Sequence, residues 1–229
     1  MAFRYIFRST LSFREIPTRG FQTPTLLRTR SDFFSRLLLE HLQISAISIL
    51  LAMGIGLAIG IAISEYPRAG KPVTAAVNFI YTIPSISLLG FLIPFSGIGD
   101  TTAVIALTVY ALLPMVRNTH AGLTNVSPLL IEAAVGMGCT RGQVLTKIKL
   151  PLALPVIMAG IRNMAVMTIA LAGIASFIGA GGLGVAIYRG ITTNNKAMTL
   201  AGSLLIALLA IAADTLIGAL EKYAQKHKA

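Results

Sequence analysis

"LQISAISILLAMGIGLAIGIAI" occupies residues 42–63 and contains no charged side chain. At about 1.5 Å of rise per helical residue, it is long enough to cross about 30 Å of hydrocarbon. A membrane-spanning helix is therefore expected here. Within it Ala52, Gly56 and Gly60 recur every fourth residue, a small-residue stripe suited to close helix contact.

The pattern repeats outward from this stretch. A second span is predicted from Val73 to Phe95, where Pro84 and Pro94 break backbone hydrogen bonding and favour a kink or an early end. A brief third span runs from Thr101 to Val116 and is closed by Pro114. Leu152 to about Ile178 makes a fourth and Ala197 to Leu220 a fifth. Residues 152–188 also leave room for a bent or re-entrant piece. The expected fold is an all-α integral membrane protein with about five transmembrane helices.

Composition agrees. The 229 residues are 55% hydrophobic and only 12% charged, whereas soluble domains carry about a quarter charged residues. The formal charge of +11 would suggest nucleic acid in a soluble protein. Here the bases crowd at the ends of apolar runs, where they fix topology, so a nucleic-acid partner is not expected. Residues 1–36 offer no short apolar segment of the secretory type. Cys139 is the only cysteine, which excludes an intrachain disulfide. His41, His120 and His227 lack metal-ligand spacing, so no metal is expected and each is read as a solvated or interfacial side chain.

Five spans put the 64–72 loop (Arg68, Lys71), the 117–151 loop (Arg117, Arg141, Lys147, Lys149) and the tail (Lys222, Lys226, Lys228) on one side. The excess of bases makes that side cytoplasmic. The N-terminal arm conflicts with this. Arg4, Arg8, Arg14, Arg19, Arg28, Arg30 and Arg36 outnumber Glu15 and Asp32, yet an odd span count sends the arm outside. Three readings stand: a surface arm with 33–41 as an interfacial amphipathic helix, an organelle-type presequence, or an extension upstream of the natural start. The expected division is an arm at 1–38, a membrane domain at 39–220 and a basic cytoplasmic tail at 221–229.

"EAAVGMGCTRGQVLTKIKLP" (132–151) is too polar for lipid and too patterned for a slack loop. Ser127 and Pro128 suit a helix start, a hydroxyl cap followed by proline at the first helical position. That helix would stop at Gly136 or Gly138. Thr140 and Gln143 have capping-box spacing for a second helix, with Val144, Leu145 and Ile148 on one face and Pro151 as its end. Two short amphipathic helices with a glycine bend suit either a lipid surface or a partner's groove.

The fixed positions Glu132, Ala133, Ala134, Gly138, Ile148, Leu150 and Pro151 resemble the EAA loop of ATP-binding-cassette importer permeases. The resemblance implies that these seven residues seat the loop in a cleft of a separate ATPase subunit and transmit its closure to the membrane helices. "YTIPSISLLGFLIPFSGIG" (81–99), "LPLALPVIMAGIRN" (150–163) and "FIGAGGLGVAIYRGI" (177–191) are similar to the permeases of osmoprotectant importers, whose cargo is glycine betaine, carnitine, choline or proline betaine. Methionine-type importer permeases share much of the last two motifs.

The resemblance further implies the type I importer permease fold with a cytoplasmic coupling-helix pair in a bacterial inner membrane. Its implied partners are two ATPases that bind ATP and magnesium, a second permease (identical or paralogous) and a separate extracytoplasmic substrate-binding protein. A non-transporting scaffold that recruits a soluble partner is the reading from another class. No enzymatic role is expected, since no nucleophile–base pair or metal cluster appears.

Gly179, Gly181 and Gly184 fit the GxGxxG pattern, but that fingerprint acts only between a strand and a helix. A flexible turn before a short helix at 185–192 is expected instead. No GxxxxGK[ST] occurs, so a transporter built on this chain would borrow nucleotide energy from a partner, use an ion gradient or be passive. Arg162 and Asp214 are the only charges inside the predicted spans; an internal ion pair is expected, with a pair across subunits or contact with interfacial water as alternatives. A quaternary ammonium is best held by aromatic faces, and the chain has no tryptophan. Tyr81 and Tyr110, with Asn78 and Ser85, are candidates for the substrate path, set against ordinary helix packing.

Overall fold

A computed structural model describes residues 29–226. Residues 1–28 and 227–229 lie outside them, and with them most of the arginine-rich arm, His227 and Lys228. Among the described residues the elements are helical: α1 Ser31–Glu65, α2 Pro67–Thr82, α3 Ser85–Ser96, α4 Asp100–Thr124, α5 Pro128–Gly136, α6 Arg141–Val144, α7 Leu150–Ala172, α8 Gly184–Thr192 and α9 Lys196–Lys226. A π-helical turn, Leu145–Lys149, fuses α6 to α7, and a 3-10 turn, Ala175–Ile178, follows α7.

Among the described residues four helices are long and apolar enough to cross a membrane: α1, α4, the continuous helix from Arg141 to Ala172, and α9. The α2–α3 pair passes the same test jointly but bends by 97°, which makes five if it counts as one span. The bend falls where Pro84 cannot donate a backbone hydrogen bond. The Tyr110 hydroxyl donates to the carbonyl of Ile83 and so satisfies an acceptor freed by the break.

The other prolines behave differently from their sequence expectation. Pro114 does not close the third span; α4 continues through it to Thr124. Asn118 donates from Nδ2 to the Pro114 carbonyl at 2.7 Å on the far side of the interruption. Pro94 lies inside α3 without ending it. Pro151 does not end the second coupling helix either. It lies directly after the π turn, inside a helix that runs continuously from Arg141 to Ala172. The fourth span stops at Ala172, earlier than predicted, because residues 173–183 turn.

Packing is organised by the small residues. A Cβ built on Gly56 would lie 2.7 Å from Met115 Cβ, and one on Gly60 would lie 2.5 Å from Thr119 Cβ. The stripe on α1 therefore lets α4 approach at backbone distance. Gly160 on α7 does the same for Asn118. Around these contacts Ala52, Ala111, Met115, Leu123, Ala153, Ile157 and Met164 form a buried cluster. A second cluster joins Phe34 and Leu37 to Leu183, Ala186, Met198 and Ala201.

That second cluster corrects the reading of 33–41. These residues are not a separate interfacial helix; they are the first turns of α1, anchored to α8 and α9. His41 is likewise not solvated. It is fully buried, with Nε2 3.0 Å from the carbonyl oxygen of Ile169. Gly182 packs against it so closely that a Cβ there would meet Nδ1 at 3.0 Å.

The glycine motif forms a turn clamped by carboxylates. Gly179 and Gly182 take φ of +78° and +93°, a region that costs other residues energy. The Gly181 N–H donates to Asp100 Oδ1 at 2.8 Å, and the Gly182 N–H donates to Glu40 Oε2 at 3.1 Å. No strand precedes the turn, so it is no dinucleotide site. Since α1 runs from Ser31 to Glu65, this turn and the α5–α6 segment lie at opposite ends of the bundle.

Candidate functional site

The 127–151 segment is an elbow built from two capped turns. Pro128 opens α5 at its first position, as its fixed φ favours, although the Ser127 hydroxyl makes no capping bond. The helix ends in a Schellman pair: Cys139 N–H donates to the Ala134 carbonyl at 3.0 Å and Gly138 N–H to the Val135 carbonyl at 2.9 Å. That closure needs a left-handed residue, and Gly138 supplies it at φ +86°. Thr140 then begins α6 with a reciprocal box, its N–H donating to Gln143 Oε1 at 2.8 Å and its hydroxyl accepting from Gln143 N–H.

The seven sequence-predicted elbow residues divide by environment. Glu132 and Ala133 are exposed on α5, while Ala134 is buried. Ile148, Leu150 and Pro151 are half-buried where the π turn enters α7, and Leu150 packs against the buried cluster around Leu123 and Ala153. Leu129 and Met137 are 75% and 79% exposed, so α5 presents apolar surface beside an acid. Lys149 donates from Nζ to Glu65 Oε1 at 2.7 Å and ties the π turn to the end of α1. The elbow thus has one open face and one face locked to the bundle.

A second feature lies between α2, α4 and α7. A groove of about 440 Å³ is lined by Tyr81, Pro114, Arg117, Asn118, Asn163 and Met167, among others. Tyr81 is 44% exposed, meets Tyr110 edge-on at 5.9 Å and places its hydroxyl 3.5 Å from Met167 Sδ. Of the four path candidates only Tyr81 lines the groove. Tyr110 is buried and holds the α2–α3 break, Asn78 is exposed on α2, and Ser85 begins α3.

Arg117, Asn118 and Asn163 were missed. Ending the third span at Pro114 assigned Arg117 to a polar loop. With the helix continued, residues 114, 117, 118 and 121 share one face, and all four line the groove. Among the described residues Arg117 has no ion-pair partner.

Arg162 on α7 and Asp214 on α9 meet in a fork. Arg162 Nη2 donates to Asp214 Oδ2 at 2.6 Å and Nε donates to Oδ1. Gly218, one turn along α9, leaves room for the guanidinium, 3.6 Å from where its Cβ would be. Both partners remain partly exposed, beside a cavity of about 580 Å³ that Glu221 also lines. Among the described residues no three His, Cys, Asp or Glu side chains are grouped to hold a metal.

Residues 52–226 match the family described as "binding-protein-dependent transport system inner membrane component". The chain belongs to this family. The permease is 43% identical over 184 residues to a carnitine transport permease protein of Listeria monocytogenes, covering 80% of this chain and 82% of that one. It is also 43% identical over 196 residues to the osmoprotectant import permease protein OsmW of Salmonella typhimurium, covering 83% and 91%. A solved chain of the inward-facing MetNI methionine ABC transporter superposes on the permease with a TM-score of 0.78 at 26% identity, covering 83% of this chain and 95% of that one. The permease is thus a membrane transport subunit with the type I importer fold, not an enzyme, and works within a system that depends on a binding protein.

Proposed function

We propose that the permease forms the translocation path of an ATP-driven importer for quaternary-amine osmoprotectants: glycine betaine, carnitine, choline or proline betaine. The observation that carries this reading is the concordance between a complete elbow, built around the left-handed Gly138, and relatives at 43% identity named for carnitine and osmoprotectants. The methionine system is more distant, at 26%.

In this reading two ATPase subunits bind ATP and magnesium, and a second permease, identical or paralogous, completes the membrane unit. A separate extracytoplasmic receptor delivers the solute. The elbow and the C-terminus face the cytoplasm, where the open side of α5 offers Leu129, Glu132 and Met137 to the ATPase cleft. Nucleotide binding closes the ATPases; the elbow moves with them; α7, fused to the elbow through the π turn, changes its tilt and switches the path. The free energy comes from the different affinities of nucleotide for the two states.

The test is uptake by cells that lack their own osmoprotectant importers and express the permease with its ATPase and receptor. Labelled glycine betaine should accumulate, compete with carnitine, choline or proline betaine, and resist an uncoupler while ATP stays high. Methionine uptake in place of betaine uptake would move the assignment to the other branch. A scaffold would give no uptake, and a gradient-driven carrier would lose uptake with the uncoupler.

A further inference from the structure

The groove between α2, α4 and α7 combines two chemistries. One wall offers the ring of Tyr81, partly exposed and held by Tyr110 and Met167. The other offers Arg117, which has no carboxylate partner among the described residues. Arg117 is exposed on a helix long enough to span, and an ionisable side chain in such a helix points by default to a ligand path. It sits seven residues before the end of α4, about 10 Å along the axis. The aliphatic Leu113 and the thioether of Met167 complete an apolar floor, and Asn163 adds a neutral polar group.

Among the described residues no acid lines this groove. A ligand bearing only a positive charge would find the tyrosine ring but also the guanidinium, which repels it. An anion would find the guanidinium alone. A zwitterion matches both ends: the quaternary ammonium packs on the ring face, and the carboxylate accepts the guanidinium fork.

We propose that this groove is a transient site for trimethylammonium carboxylates and that Arg117 selects them over quaternary amines lacking a carboxylate. The inference rests on the proposed function and narrows it, since it ranks glycine betaine and carnitine above choline at the membrane step.

The experiment uses the complete transporter in proteoliposomes, with Cys139→Ser removing the permease's only cysteine, Ala121→Cys placing one in the groove, and labelling read on the permease band alone. Alkylation of that thiol is timed with glycine betaine or with choline at equal concentration. Glycine betaine should slow labelling and choline should not. Arg117→Gln should weaken the betaine effect by roughly tenfold or more in concentration, the scale of one charged hydrogen bond, while Arg117→Lys retains part of it. Equal protection by both solutes, protection by neither, or protection indifferent to Arg117→Gln overturns the proposal. Should Arg117→Gln fail to assemble, the contrast between betaine and choline at intact Arg117 decides alone. Uptake of labelled betaine by the same vesicles separates the two levels. Uptake without protection removes the groove and leaves the importer; no uptake of any quaternary amine removes both.

Discussion

The Lys149 ammonium donates to the Glu65 carboxylate at 2.7 Å, joining residues 84 positions apart in the chain. Glu65 is the last residue of α1 and Lys149 the last of the π turn, with side chains only 27% and 16% exposed. The pair therefore pins the point where the elbow becomes α7. Glu65→Gln should loosen this joint by about 1–2 kcal/mol, between the value of an exposed pair and that of a buried one. Solute moved per ATP hydrolysed should fall, and exchanging the charges, Glu65→Lys with Lys149→Glu, should restore part of it. An unchanged ratio in Glu65→Gln would show that the joint does not transmit motion.

The Arg162–Asp214 fork is expected to matter for assembly. Arg162→Leu or Asp214→Leu should each reduce the amount of assembled complex recovered from membranes. The exchanged double, Arg162→Asp with Asp214→Arg, should recover more than either. Recovery equal to the unmodified protein in both singles would remove the pair from any structural role.

The α1–α4 contact predicts a steep dependence on side-chain volume. Gly60→Val should destabilise by about 1–3 kcal/mol or more, because its Cβ would fall 2.5 Å from Thr119 Cβ on a helix that cannot retreat. Gly54→Ala on the same helix meets nothing within 4 Å and serves as the control. Thermal unfolding of the detergent-solubilised complex should separate the two.

Gly138→Ala should weaken the elbow by about 1–2 kcal/mol through its left-handed backbone alone. Gly136→Ala, with open space around its Cβ and ordinary helical φ, should be tolerated. Copurification of the ATPase with each variant is the measurement, and equal losses would show that the Schellman closure is not what the partner requires.

What the sequence could disclose depended on the kind of physics involved. The 42–63 helix, the Ala52–Gly56–Gly60 stripe, a glycine stop at Gly136 or Gly138 and the Thr140–Gln143 box were all legible, because each rests on local periodicity or a short-range hydrogen bond. Prolines misled. Pro84 does break its helix, while Pro94, Pro114 and Pro151 lie inside helices that continue past them. The false stop at Pro114 alone hid Arg117 and Asn118 from the groove. His41 was misread because its burial comes from Ile169 on α7, 128 residues away, and from the Gly182 turn, farther still. Arg162 and Asp214 could be paired in advance because two lone charges among apolar spans leave few other partners. Tyr110 and Ser85 could not be separated from Tyr81 by residue type, since which of them lines the groove and which is buried is settled by how the helices pack.

The most direct test of coupling through the elbow replaces Glu132 by Arg in the complete transporter, leaving the membrane helices untouched, and measures nucleotide-driven betaine uptake together with ATPase retention. Loss of uptake, with the ATPase dissociated or hydrolysing without transport, is the expected result. Normal uptake with the ATPase firmly bound, or reaction of a Glu132→Cys thiol only from the extracytoplasmic side, would contradict it.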